Sequence, residues 1–140
     1  MLATEARSLG EKNKLIVLEK LNQITDKIIG CAIEVHRQLG PGLLESLYEK
    51  ALCQEFRLNK FDFKNQLIIP ILYKNEIIGE HRIDFLVENE VIIELKAVER
   101  MEPVFHAQLL SYLRLTRKKL GLLINFNVPV LHKGIKRIIL

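Results

Sequence analysis

Two carboxylates and a lysine crowd the stretch Arg82–Ala97, which reads R-I-D-F-L-V-E-N-E-V-I-I-E-L-K-A. Asp84 lies in one apolar run, Glu94 and Lys96 lie in the next, and the polar triplet Glu88-Asn89-Glu90 separates them. This pattern predicts a β-hairpin with a loop of about three residues. With the loop centred on Asn89, Asp84 stands opposite Glu94, their side-chain roots roughly 5 Å apart, and Lys96 sits diagonally beside Asp84. Opposed like charges cost a sheet up to about 1 kcal/mol per pair. A divalent cation between them converts that repulsion into a ligand set. A register shifted by two residues instead pairs Asp84 with Lys96 as a surface ion pair, and spacing alone leaves both registers open.

Side chains alternate along a strand, so Ile83, Phe85 and Val87 are expected on one face with Val91, Ile93, Leu95 and Ala97. That is the expected core face. The other face carries Arg82, Asp84, Leu86, Ile92, Glu94, Lys96 and Val98.

Asp84 followed by Glu94-Leu95-Lys96 at the end of an apolar strand resembles the active-site signature of the PD-(D/E)XK nuclease superfamily. Ile83 stands where the eponymous proline would be. Upstream, Gly42-Leu43-Leu44-Glu45-Ser46-Leu47-Tyr48 reads as G-x-x-E-x-x-Y. Together with Glu34-Val35-His36-Arg37-Gln38-Leu39-Gly40-Pro41 it resembles the GxxExxY protein family, a branch of that superfamily. The resemblance covers about residues 25–140 and implies a restriction-endonuclease-like α/β sandwich with a mixed central sheet flanked by helices.

It also implies metal-dependent hydrolysis of phosphodiester bonds in DNA or RNA. Mg²⁺ or Mn²⁺ would be held by Asp84, Glu94, Glu45 and the backbone carbonyl of Leu95. Lys96 would orient or deprotonate the attacking water. A glutamate on the first turn of a helix is also explained by the helix dipole alone. Gln108 and Tyr112, four apart on one helix face, resemble the Q-x-x-x-Y motif of exonuclease-like members, which supports the site or the nucleic acid. His36 is a further candidate for site support; the plainer reading is a half-buried helix histidine. Two other readings stay open: a binding module that keeps the fold without cleavage, and a subunit docked through an N-terminal helix to a second copy or a larger assembly.

Size and composition agree with a single domain. The 140 residues are 49% hydrophobic and 27% charged, with Lys and Arg exceeding Asp and Glu by 21 to 17. Disordered and fibrous classes are excluded. The mild basic excess permits nucleic-acid binding without demanding it. Cys31 and Cys53 lack metal-type spacing and suggest buried thiols in a cytoplasmic protein. No apolar run approaches the length of a membrane span, so no membrane partner is expected.

The elements that must position the site follow from periodicity. Residues 1–24 read as an extension, a loose Met1–Gly10 leader and then a short helix marked by Leu15, Leu18, Leu21 and Ile24. Thr25-Asp26 is the expected start of a first core helix, ended by Gly40-Pro41-Gly42. A second helix should bury Leu44, Leu47, Tyr48, Ala51, Leu52 and Phe56. A strand containing Pro70, expected at an edge or a bulge, precedes the Asp84 strand in a three-stranded meander. A helix from Pro103 to about Arg117, a doubly covered strand at 120–126 and a closing strand at 135–140 complete the chain.

Overall fold

The computed structural model describes residues 3–140, with side chains described from Ser8 onward. Helix α1 (Ala3–Leu39) and helix α2 (Glu45–Leu58) lead into strands β1 (Phe63–Tyr73), β2 (Glu76–Val87) and β3 (Val91–Lys96). Helix α3 (Pro103–Thr116), strand β4 (Leu120–Asn125), a 3-10 turn (Leu131–Gly134) and strand β5 (Ile135–Ile139) follow. The strands form one sheet in the order β1-β2-β3-β4-β5. β1, β2 and β3 are the expected antiparallel meander, β3 and β4 run parallel through α3, and β5 returns antiparallel. This is the mixed sheet flanked by helices that the element order predicts.

Each face of the sheet has its own core. Phe85, Val87, Val91, Ile93, Leu95, Leu122 and Ile124 pack against α1 and α2. Leu86, Ile92, Leu123 and Ile138 pack against Leu109, Tyr112 and Leu113 of α3. The expectation of a single core face on the hairpin is therefore corrected, because α3 covers the face that also carries the polar residues. Ile83 belongs to the α3 core while Phe85 belongs to the other. The alternation of β2 is broken at Asp84, so Ile83 and Phe85 do not share a face.

Helix α1 also differs from the expectation. It runs unbroken through Thr25, whose hydroxyl donates to the Asn22 carbonyl one turn back at 3.0 Å and caps nothing. No proline interrupts residues 3–39, and a helical glycine such as Gly10 or Gly30 costs only about 1 kcal/mol. The part of the leader at Met1 and Leu2 lies outside the described residues. Side chains 8–20 are all exposed, and burial begins at Leu21. On α2, Leu44 and Leu47 are exposed, and Tyr48, Leu52, Cys53 and Phe56 are buried. The helix starts at Glu45, which turns the 48-52-56 row inward. Pro70 lies on β1, an edge strand, the setting in which a sheet tolerates proline. Cys31 and Cys53 are buried and unbridged, and burial raises the thiol of Cys31 to about 11.

Two buried polar side chains fix the chain on either side of the acidic residues. Tyr48 stacks on Phe126 with centroids 4.5 Å apart, donates its hydroxyl to the Gly40 carbonyl at 2.6 Å and accepts from the Leu43 N–H at 3.1 Å. Gly40 and Gly42 have φ of 68° and 99°, which only glycine adopts without cost. Tyr48 thus clamps the corner from which Glu45 emerges. At the far end of β3, Asn125 pairs with both backbone groups of Val98, at 2.9 and 3.0 Å, and accepts from the Asn127 N–H at 3.1 Å.

Replacing Asn125 with alanine leaves three backbone groups without partners, each worth about 1–3 kcal/mol when buried. Asn125→Ala is expected to lower the melting temperature by about 6 °C or more, read by calorimetry.

Candidate metal centre

The β2–β3 hairpin pairs Phe85 with Ile93, Leu86 with Ile92 and Val87 with Val91. The loop is therefore centred on Asn89, with Glu88 and Asn89 left-handed at φ 52° and 56°, and the shifted register that joins Asp84 to Lys96 is excluded. Past Phe85 and Ile93 the carboxylates take over from the backbone. The Leu95 N–H donates to Asp84 Oδ2 at 2.8 Å, and the Asp84 N–H donates to Glu94 Oε1 at 3.1 Å. Each acid is pinned by a backbone N–H bond, Asp84 by the opposite strand and Glu94 by Asp84 itself.

The arrangement is electrostatically tense. Glu94 is buried, and burial first, then the Asp84 charge, push its carboxyl up to about 8. Glu45 is raised by loss of water and by Asp84, with Lys96 pulling the other way. Lys96 is half-buried at the end of β3, its Nζ 4.4 Å from the centre of the Phe105 ring on the first turn of α3. That cation–π contact ties the lysine to the helix that follows. The fold thus brings Glu45, Asp84, Glu94 and Lys96 within each other's fields. The side chain of Leu95, between the last two, is fully buried and its N–H is engaged by Asp84, so its carbonyl is the backbone group it can offer.

The model of the PD-(D/E)XK nuclease superfamily matches residues 22–138. The chain belongs to that superfamily. No curated protein and no solved structure matches it significantly. PD-(D/E)XK nucleases generally use divalent metals, and the donors here are all hard oxygens, which suit Mg²⁺ or Mn²⁺ over softer ions. Among the described residues no three His, Cys, Asp or Glu side chains already form a group able to hold an ion. Mg²⁺ needs only one or two carboxylates and fills its remaining positions with water. Asp84 and Glu94 are two carboxylates of the kind such an ion takes, and Glu45 is an exposed side chain whose carboxyl feels the Asp84 charge.

Two residues beyond those singled out from the sequence reach the acids of this PD-(D/E)XK chain. Glu49, one turn after Glu45, is raised by burial and then by the Asp84 charge. The spacing of four from Glu45 is the signal that could have found it. Gln66 on β1 donates its amide to Glu49 Oε1 at 2.6 Å and lies 3.4 Å from Asp84 Oδ1. Nothing local to its own sequence marks it.

Of the candidates further out, Tyr112 is buried against His81, ring centroids 5.4 Å apart. Its hydroxyl is raised by burial, then by Glu94 and Asp84. Gln108 is exposed and shares with Tyr112, His81, Ile71 and Leu115 a groove of about 350 Å³. His36 reaches the loop after β4. Its Nε2 donates to the Val128 carbonyl at 2.7 Å and its ring leans on Phe126, so it fastens α1 to the loop after β4 as a packing residue.

A glutamate raised on folding means that the folded chain keeps a proton which the unfolded chain releases. Between the ordinary 4.5 and about 8, stability of the metal-free protein therefore falls as pH rises. Glu45 and Glu49 are raised too and act in the same sense. Thermal melts without metal are expected to show a higher melting temperature at pH 5 than at pH 8. Glu94→Gln should flatten that slope and raise the pH 8 value by about 3 °C or more.

Proposed function

We propose that this chain is a metal-dependent nuclease of the GxxExxY branch, hydrolysing phosphodiester bonds of DNA or RNA. One observation carries the reading: Asp84 and Glu94 face each other where the β2–β3 backbone ladder gives way, with Lys96 two residues beyond. For a scaffold the arrangement is costly, since burial beside Asp84 opposes the ionisation of Glu94.

Asp84, Glu94, the Leu95 carbonyl and Glu45 would hold the ion, Mg²⁺ or Mn²⁺. When bound, it would act as a Lewis acid on the phosphate oxygens and offset the charge of the two acids. Lys96 Nζ would hold the attacking water in line or, in its neutral form, accept that water's proton, the resulting ammonium balancing negative charge as the new P–O bond forms and the leaving oxygen departs with a proton from solvent. Tyr112 and Gln108, on the adjoining helix, would steady the site and the strand of nucleic acid lying in their groove. The G-x-x-E-x-x-Y motif has a physical role in this scheme: the glycine corner and Tyr48 together set where Glu45 emerges.

A second reading is a nucleic-acid- or protein-binding module without cleavage. It is favoured by the engagement of Asp84 Oδ2 and Glu94 Oε1 with backbone N–H groups. We take residues 25–140 as the nuclease-like unit and 1–24 as an extension, because among the described side chains of α1 burial begins at Leu21. The exposed Leu15, Ile16, Val17 and Leu18 make that extension the natural place for a second copy or a larger assembly to attach. Among the described residues no helix is long and apolar enough to cross a membrane, and two buried thiols without a disulfide suit a cytoplasmic setting.

Calorimetric titration of Mn²⁺ into wild type and Asp84→Ala, followed by cleavage assays on labelled single- and double-stranded DNA and RNA with and without EDTA, tests the reading. Wild type is expected to bind and cut, and Asp84→Ala to do neither. Lys96→Met should still bind Mn²⁺ but cut about 10²-fold more slowly or worse. Metal binding that survives Asp84→Ala would remove the site as drawn. Binding without cleavage by the wild type would select the module.

A further inference from the structure

Along the β1–β2 ladder, Asn65 pairs with Phe85 and Leu67 with Ile83, and the couple between them, Gln66 and Asp84, is left out. Gln66 has φ 55°, a left-handed conformation that costs a non-glycine residue about 1 kcal/mol or more and persists where the surroundings impose it. It lies opposite the point at which β2 reverses its alternation, the Ile83 and Phe85 side chains entering opposite cores. The kink aims the Gln66 amide at α2 and at the acid across from it. Nε2 is 2.6 Å from Glu49 Oε1 and 3.4 Å from Asp84 Oδ1.

With the Leu95 N–H on Oδ2, both oxygens of Asp84 then face a donor. A primary amide has two N–H groups, enough for both acids. Being neutral, it can orient a carboxylate without competing with a cation for its charge, as a lysine or arginine there would.

We propose that Gln66 is a positioning residue for Asp84, anchored by Glu49, and that the left-handed turn of β1 is kept for this purpose. The inference rests on the metal-site reading above.

The measurements are Mn²⁺ calorimetry and thermal melts of the full chain, for wild type, Gln66→Gly and Asn65→Ala. Glycine relieves the left-handed backbone while deleting the amide. Asn65→Ala removes only the neighbouring bond from Asn65 Nδ2 to the Asp84 carbonyl, 3.0 Å long. Gln66→Gly is expected to melt no lower than wild type and to bind Mn²⁺ about 10- to 100-fold more weakly; Asn65→Ala should stay within about threefold in affinity. A stability-only role for the amide predicts the reverse for Gln66→Gly, a lower melting temperature with unchanged affinity, and that result overturns the proposal. Equal losses of affinity in the two variants also overturn it, since they would report general loosening of β1. Wild type that binds no Mn²⁺ overturns the metal reading and this inference with it, whereas wild-type binding with unimpaired Gln66→Gly overturns the inference alone. Should Gln66→Gly fail to fold, Gln66→Asn decides: asparagine tolerates the left-handed conformation but falls one methylene short. Weakened Mn²⁺ binding then supports the role and undiminished binding ends it.

Discussion

Where β2 and β3 part, hydrogen bonds that carbonyls would make elsewhere in the sheet are made by two carboxylates. Asp84 accepts from the Leu95 N–H and Glu94 from the Asp84 N–H. This reciprocal pinning holds two acids together, Glu94 buried and Asp84 half-buried, where the ladder ends. Neither acid can move away without leaving a backbone N–H unpaired, which costs about 1–3 kcal/mol. The local electrostatics reflect it: burial first, then the Asp84 charge, raise the carboxyls of Glu94, Glu45 and Glu49 above the usual range.

Such a tense arrangement persists because the surrounding structure leaves it no room to relax. The sheet is packed on both faces, by α1 and α2 on one side and by α3 on the other. Phe56 meets Phe61, Phe63 and Phe85 with centroids 5.3 to 5.4 Å apart, fixing α2 over β1 and β2. Tyr48 locks the glycine corner, His36 ties α1 to the loop after β4, and Asn125 fastens the exit of β3. These polar anchors are buried and satisfied, so they specify position as well as adding stability. An acidic cluster that weakens the fold is offset by rigid packing around it.

The strain extends into the backbone. Gln66 is left-handed where it drops out of the β1–β2 pairing, and Asp84 is the residue across from it. A bulge-like departure beside a chemical group re-aims a side chain. Here it brings a neutral amide to a carboxylate and an acid from a different element, linking β1, β2 and α2 at one point.

Much of this was legible in residue order alone. The hairpin could be read from two apolar runs about a polar triplet, and its register about Asn89 followed if the loop was short and symmetric. Glycines at 40 and 42, Pro103 at a helix start and the apolar run of β4 each carry a local conformational reason, so their elements fell where expected. What sequence could not decide was set by packing between distant segments. Whether Thr25 begins a helix depends on what Asn22 and Leu21 touch, and whether Leu44 is buried depends on the phase at which α2 starts. The second core face of the hairpin exists only because α3 folds over it. His36 is held against the loop after β4 because Val128, 92 residues away, presents a carbonyl to it. Glu49 and Gln66 join the acids through contacts 17 and 18 residues apart along the chain. Local periodicity determined which elements form and which residues have the chemistry; which of those residues meet was decided by tertiary structure, because side-chain encounters across a sheet depend on register, twist and helix phase that no short stretch encodes.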